Sequence, residues 1–130
     1  MILLDTNVLI NFDNYQFDAQ QSYAASVLSR AELALGTYHA PSVPERQKRQ
    51  AILAAFDAQF DWLPFDRAAS DGYGAVTGQS SLTGARLRNK DALLAGQAFS
   101  LGLAIMTANT KDFAPFAEQI EIIAPTRRIN

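Results

Sequence analysis

Short apolar runs, each ending at an acidic or small polar residue, alternate along this chain with stretches whose apolar positions recur every three to four residues. Met1 to Leu4 is apolar and ends at Asp5-Thr6-Asn7, after which Val8-Leu9-Ile10 resumes the apolar character. This predicts a buried first strand with Asp5 at its tip and a short helix behind it. Asn11 to Gln21 is polar and predicts a loop or irregular helix. Tyr23 to Leu28 reads as a second strand. Ser29 and Glu32 then have capping-box spacing, with Gly36 as C-cap of the short helix between them. Pro41 and Pro44 mark a break before an amphipathic helix from Glu45 to Phe60, which gathers Ile52, Leu53, Phe56 and Phe60 on one side. Trp62 to Phe65 is strand-like, its Pro64 pointing to an edge or a strand end.

The second half repeats the alternation. Asp66 caps a predicted helix from Arg67 to about Gly78, and Gln79 to Asn89 reads as an ordered loop or partial helix. A helix from about Lys90 to Leu101 is closed by Gly102. Leu103 to Thr107 is a buried strand, Ala108 to Asp112 a turn, and Phe113 to Gln119 a short helix or turn. Ile120 to Ile123 forms a last strand before a polar, basic tail. Short strands alternating with helices imply an α/β fold: a central parallel sheet of four to five strands, flanked by helices on both faces. With 130 residues, no internal repeat and no long linker, residues 1–130 are expected to form one domain.

Composition narrows the chemistry. Hydrophobic residues make up 48%, enough for a core, yet no apolar run approaches the roughly 20 residues of a membrane span. The opening Met-Ile-Leu-Leu-Asp lacks a basic n-region and does not read as a signal peptide. The absence of cysteine excludes disulfides, thiol catalysis and zinc–thiolate sites, and agrees with a reducing cytoplasm. One histidine, His39, cannot build a multi-histidine metal site and reads as a surface loop residue. A formal charge of −2 means that any nucleic acid must be met by local basic patches and a bound cation.

Four acids stand apart from the rest. Asp5, Glu32, Asp91 and Asp112 each fall where a strand-like run ends or a helix begins, positions that converge outside the carboxyl ends of a parallel sheet. Each also has a local explanation: Glu32 as the return partner of a capping box, Asp91 in the first turn of its helix, Asp112 as a turn or cap. Asp5 resists that treatment, because it interrupts an apolar strand and a buried carboxylate is costly unless paired. Clustered carboxylates take up protons or share a hard divalent cation, and the second choice points to metal-dependent phosphodiester chemistry. Two alternatives stay open: a catalytically silent α/β binding module in which the acids are caps, and a metal-dependent phosphatase or DNA nuclease. Nucleotide hydrolysis is disfavoured, since no glycine-rich phosphate cradle occurs.

The flanking residues resemble a known family. Leu3-Leu4-Asp5-Thr6-Asn7-Val8-Leu9-Ile10 is similar to the opening motif of PIN-domain ribonucleases, especially the VapC-type toxins of bacterial toxin–antitoxin pairs. Ser29-Arg30-Ala31-Glu32-Leu33-Ala34-Leu35-Gly36 resembles the second motif, an acid followed by leucine with glycine four positions on. Asp91-Ala92-Leu93-Leu94-Ala95-Gly96-Gln97-Ala98 resembles the third, and Met106-Thr107-Ala108-Asn109-Thr110-Lys111-Asp112-Phe113 the fourth. The order and spacing hold over nearly the whole chain, although Asn11 to Gln21 matches nothing in the family and the second motif arrives early.

The resemblance implies a PIN-like fold and an endoribonuclease acting on structured RNA of the tRNA or rRNA class, dependent on Mg²⁺ or Mn²⁺. Asp5 and Asp91 are then expected as direct metal ligands, Glu32 as a ligand or as the residue orienting the attacking water, and Asp112 as acting through water. Thr6, Asn7, Thr107 and Asn109 are expected to support those carboxylates, or else to be ordinary turn and cap residues. Arg30, Arg86, Arg88 and Lys90 meet RNA phosphates at the rim, or form a solvated face, or contact a partner protein. A cognate antitoxin and a homodimer are also implied. Phe12, Tyr15, Phe17 and Tyr38 either form a partner groove or belong to the core.

Overall fold

A computed structural model describes residues 1–82 and 89–129. Its central strand is the first: β1 (Ile2–Leu4) pairs in parallel with β3 (Tyr23–Ala25) on one side and β4 (Ala104–Met106) on the other, and β4 pairs in parallel with β5 (Ile122–Ile123). The sheet therefore has four strands in the order β3-β1-β4-β5. Register places Leu3 beside Ala24 and Ile105, and Leu4 beside Ala25 and Met106. Successive strand side chains face opposite ways, so these two rows feed two separate cores. Leu3, Ala24 and Ile105 pack with Val76, Ala95, Phe113 and Phe116, under helices α4 (Arg67–Leu82) and α5 (Asn89–Leu101). Leu4, Ala25 and Met106 pack with Val8, Leu9, Phe56 and Phe60, from α1 (Thr6–Ile10) and the end of α3 (Val43–Gln59). Helices cover both faces, as the alternating pattern predicts. Fully burying Leu3 and Leu4 contributes about 1.5–3 kcal/mol each.

Several boundaries differ from the sequence-based expectation, each for a local reason. The second strand stops at Ala25 because Ser26 caps α2 (Val27–Tyr38), its hydroxyl accepting from Leu28 N at 3.0 Å. The expected capping box at Ser29 and Glu32 does not form: both lie inside the helix, and Gly36 lies inside it too, with His39 as the C-cap. The helix expected from Glu45 begins at Val43, since the Ser42 hydroxyl accepts from Glu45 N at 3.2 Å and Pro44 fits the first turn, where no intrahelical N–H is needed. Trp62 to Phe65 yields a single parallel bridge between Leu63 and Ser26 rather than a strand, because Pro64 has no N–H to extend the ladder. Within the polar stretch after α1, a 3₁₀ turn (Phe12–Asn14) leads into β2 (Tyr15–Gln16), which pairs antiparallel with β6 (Thr126–Arg127) from the basic tail. Phe12, Tyr15 and Phe17 join the second core, while Tyr38 is exposed.

Two predicted signals hold at atomic detail. Asp66 Oδ1 accepts from Ala69 N at 2.9 Å at the start of α4, which runs four residues beyond Gly78 to Leu82. Gly102 adopts φ +66° after α5, and Leu103 N bonds back to Ala98 O at 2.9 Å. Where α4 crosses α5, a Cβ on Gly72 would strike the Gly96 carbonyl, and a Cβ on Gly96 would strike the Tyr73 backbone. These two glycines let α4 and α5 approach with their backbones in contact. Among the described residues, no helix is long and apolar enough to cross a membrane.

Candidate active site

The carboxyl ends of β1 and β4 lie side by side, and the chain leaves each into a short helix. Asp5 follows β1 and caps α1, its Oδ1 accepting from Thr6 N at 2.8 Å. Its other oxygen, Oδ2, accepts from the hydroxyl of Thr107, at the end of β4, at 2.9 Å. Asp5 is only 4% exposed, so the acid is clamped from two sides inside the protein. Burial pushes its carboxyl above the usual range. The bonds from Thr107 and Thr6 and the charge of Lys90 act against that shift, and the nearby charge of Glu32 adds to it.

Glu32 reaches the same edge from α2. Its Oε1 is 2.8 Å from Thr6 Oγ1, which also lies 2.9 Å from Ser29 Oγ. A hydroxyl has one proton and an ionised carboxylate can only accept, so Thr6 donates to Glu32 and Ser29 supplies the other hydrogen bond. Asp91 enters from the first turn of α5 and is buried. The cation beside these acids is Lys90. Its Nζ is 2.7 Å from Glu32 Oε2. Burial works against its charge, but the hydrogen bond and charge of Glu32, followed by the charges of Asp5 and Asp91, outweigh that and hold the ammonium above its usual range. Glu32 thus pairs with Lys90 directly, and the charges of Asp5 and Asp91 act on it from farther off.

Asp112 sits on α6 (Thr110–Phe113), where Oδ2 accepts from Asn109 Nδ2 at 2.7 Å. Asn109 N in turn donates to Thr107 Oγ1 at 3.1 Å, and Asn7 spans the same turn, with Nδ2 3.3 Å from Thr107 Oγ1 and Oδ1 accepting from Ala108 N at 3.1 Å. Thr107 is therefore the junction through which Asp5, Asn7 and Asn109 are held in one network. All four polar residues singled out beside the acids, Thr6, Asn7, Thr107 and Asn109, hydrogen-bond within the site.

The basic residues divide. Lys90 faces the acids. Arg30 turns away to Asp57 on α3 in a two-pronged ion pair of 2.8 and 2.9 Å, which Trp62 Nε1 supports by donating to Asp57 at 2.7 Å. Its geometry is that of a strut between α2 and α3. Arg86 and Arg88 lie outside the described residues. Sequence reasoning missed two features: Ser29 as a partner of Thr6, and Lys90 as the counter-charge of the pocket. The one available signal was a lysine directly before Asp91 in a first helical turn, a place where a positive charge is disfavoured unless something else holds it.

The donor set suits a hard divalent ion, since every candidate ligand is a carboxylate or hydroxyl oxygen and a cation already stands among them. Among the described residues, however, no three acidic side chains are arranged to hold an ion as they stand.

No family model matches the chain. It is 29% identical over 125 residues to "Ribonuclease VapC4" of Mycobacterium tuberculosis, covering 93% of this chain and 94% of that protein. It is likewise 29% identical over 119 residues to "tRNA(fMet)-specific endonuclease VapC" of Shigella flexneri, covering 85% and 88%. Its fold matches that of VapBC-5 from Mycobacterium tuberculosis, a member of the VapBC family of toxin–antitoxin systems, with a TM-score of 0.77, 28% identity and 97% of each chain covered.

Proposed function

We infer that this chain is a VapC-type ribonuclease on a PIN-like fold, the toxin of a toxin–antitoxin pair. The observation that carries the reading is the buried Asp5 carboxylate at the carboxyl edge of the parallel sheet, tied to Thr6 and Thr107, with Glu32 joined to it through Thr6 and paired with Lys90 at 2.7 Å. Likeness to a ribonuclease and an endonuclease along most of the chain supports it independently. A silent binding module would have its acids pointing apart as unrelated caps. The hydrogen bonds that tie Asp5 to Thr107 and Glu32 to Thr6, across separate elements, weigh against that alternative.

The finer reading is a Mg²⁺- or Mn²⁺-dependent endoribonuclease acting on structured RNA, of the tRNA class that the Shigella relative's name carries. Asp5 and Asp91, buried and fixed by their elements, would hold the ion, with Glu32 as a third ligand or as the group that orients the attacking water. An ion bound there supplies Lewis-acid chemistry, lowering the pKa of a bound water and offsetting charge on the departing oxygen. Thr6 and Thr107 keep the carboxylate oxygens of Glu32 and Asp5 aimed, so that no reorganisation is needed when substrate arrives. Asn109 positions Asp112 at the mouth of the site, where it acts through water. Lys90, with Arg86 and Arg88, supplies positive charge for phosphate.

A partner protein fits this reading as well. A groove of about 390 Å³ opens beside Glu32, lined by Ile10, Leu33, Ile52 and Leu53 and rimmed by Lys48 and Arg49. Ile10 is 64% exposed and Ile52 43%, apolar surface suited to an antitoxin segment that would cover the site. The homodimer implied by the resemblance is tested by sedimentation of the partner-free chain.

The deciding experiment incubates purified, partner-free protein with total cellular RNA and Mg²⁺, beside Asp5→Asn. Discrete RNA fragments appear with the wild-type chain alone if the reading is right. Equal fragmentation by both proteins, or by neither, refutes it. Parallel reactions on duplex DNA and a phosphate monoester separate RNA cleavage from the nuclease and phosphatase alternatives.

A further inference from the structure

Lys90 is held differently from the acids it faces. Asp5 is buried and clamped by two hydrogen bonds, from Thr6 N and the Thr107 hydroxyl. Lys90 starts from the first turn of α5, its side chain is half exposed, and its contact with Glu32 is a single ion pair of 2.7 Å. A lysine stem is long and flexible, and such a contact can be exchanged at little cost. The pocket nevertheless needs a cation. Carboxylates brought together out of water repel one another unless they are protonated or neutralised. A divalent ion and an ammonium competing for the same oxygens repel in turn, more strongly as water is excluded.

We propose that Lys90 is the resident counter-cation of the carboxylate pocket, paired with Glu32 and offsetting part of the charge beside Asp5 and Asp91 in the metal-free chain, and swinging out when a divalent ion is taken up. The proposal rests on the metal-binding reading given above. It makes the lysine a competitor of the metal: uptake carries the cost of breaking the Lys90–Glu32 pair, and the freed ammonium moves to the mouth of the site.

Lys90→Met keeps the length of the stem and removes the charge. Titration calorimetry with MnCl₂ on both proteins reads the competition without any nuclease assay. The variant is expected to bind Mn²⁺ about fivefold more tightly, the coupling of an exposed ion pair near the top of its usual range. Thermal unfolding in EDTA should show the metal-free variant melting lower, with a larger gain than wild type when Mn²⁺ is added. Acetylation of amines, mapped by mass spectrometry on the wild-type chain, gives a direct readout: modification of Lys90 should rise on adding Mn²⁺. Equal or weaker Mn²⁺ binding by the variant, or unchanged Lys90 acetylation, overturns the displacement while leaving the metal site standing. No Mn²⁺ uptake by either folded protein overturns the metal-binding reading itself, and the displacement with it. If Lys90→Met fails to fold, Lys90→Gln carries the same comparison.

Discussion

Replacing Thr107 with valine removes one hydroxyl from the junction of the site while leaving side-chain volume almost unchanged. That hydroxyl makes a 2.9 Å hydrogen bond to Asp5 Oδ2, and both residues are buried. A hydrogen bond to a charged group contributes about 1.5–3 kcal/mol, and stranding a buried carboxylate oxygen forfeits it in full. The hydroxyl's other partners, Asn7 Nδ2 at 3.3 Å and Asn109 N at 3.1 Å, belong to half-exposed and exposed residues where water can replace it, so they add little. Valine leaves no cavity, and the expected loss is therefore about 2 kcal/mol at neutral pH. With a urea m-value of about 1–3 kcal/mol/M, the unfolding midpoint should drop by on the order of 1 M. In an Asp5→Asn background the acceptor is neutral and the cost of the same substitution should fall to about 1 kcal/mol. The double-mutant cycle isolates this difference. An unchanged midpoint in Thr107→Val, or an undiminished cost when Asp5 is already asparagine, refutes the view that Thr107 serves the Asp5 carboxylate.

Other expectations follow from neighbouring features. Gly96→Ala puts a methyl group into the Tyr73 backbone and should cost at least about 1–3 kcal/mol, a melting-temperature drop of several degrees by calorimetry; a variant as stable as wild type would mean the helices can part freely. Asp57 is held below its ordinary value of 3.8 by hydrogen bonds from Arg30 and Trp62 and by the Arg30 charge. A depressed carboxyl stabilises the fold above its unfolded pKa and loses that contribution as pH falls through its folded pKa, so Asp57→Asn should lower stability at pH 7 and converge with wild type in strong acid, as read by urea midpoints across pH. Arg30→Ala should leave RNA cleavage nearly intact while loosening α2 from α3, since its guanidinium is already committed to Asp57; a large loss of cleavage would return Arg30 to the RNA-binding set. Arg86→Glu with Arg88→Glu should weaken cleavage while leaving the heat of Mn²⁺ binding unchanged, and intact cleavage would remove both from substrate binding.

What the sequence made legible, and what it hid, divides by the range of the interaction involved. β1 and β4 announced themselves because a strand buried on both faces is continuously apolar, and Asp5 stood out because it breaks such a run. Asp66 and Gly102 were readable because each satisfies a backbone requirement within a few residues, whereas Pro44, read as a break, lies in the first turn of α3. Ser26 was passed over because Val27 and Leu28 extend the apolar run: hydrophobicity there serves the first turn of a helix as well as the strand, and composition alone cannot divide the two. The β2–β6 pairing joins Tyr15 to Arg127 through backbone hydrogen bonds, which leave no mark in a side-chain pattern.

The basic residues show the same division on the side that bears on function. Arg30 and Lys90 both stand just before a critical acid, and proximity in sequence suggested one shared role. On a helix, residues two apart point to different sides, so Arg30 faces α3 while Glu32 faces the site. Lys90 is adjacent to Asp91 and ends beside Glu32 of another helix, a partner 58 positions away that only the packing of α5 into the fold can supply. That packing includes the close glycine contact between α4 and α5. Substitution at Gly96 should therefore disturb Mn²⁺ binding as well as stability, because lifting α5 carries Asp91 and Lys90 away from Asp5 and Glu32 together. A Gly96→Ala protein that is less stable but binds Mn²⁺ with wild-type affinity would break this link between helix packing and the acid pocket.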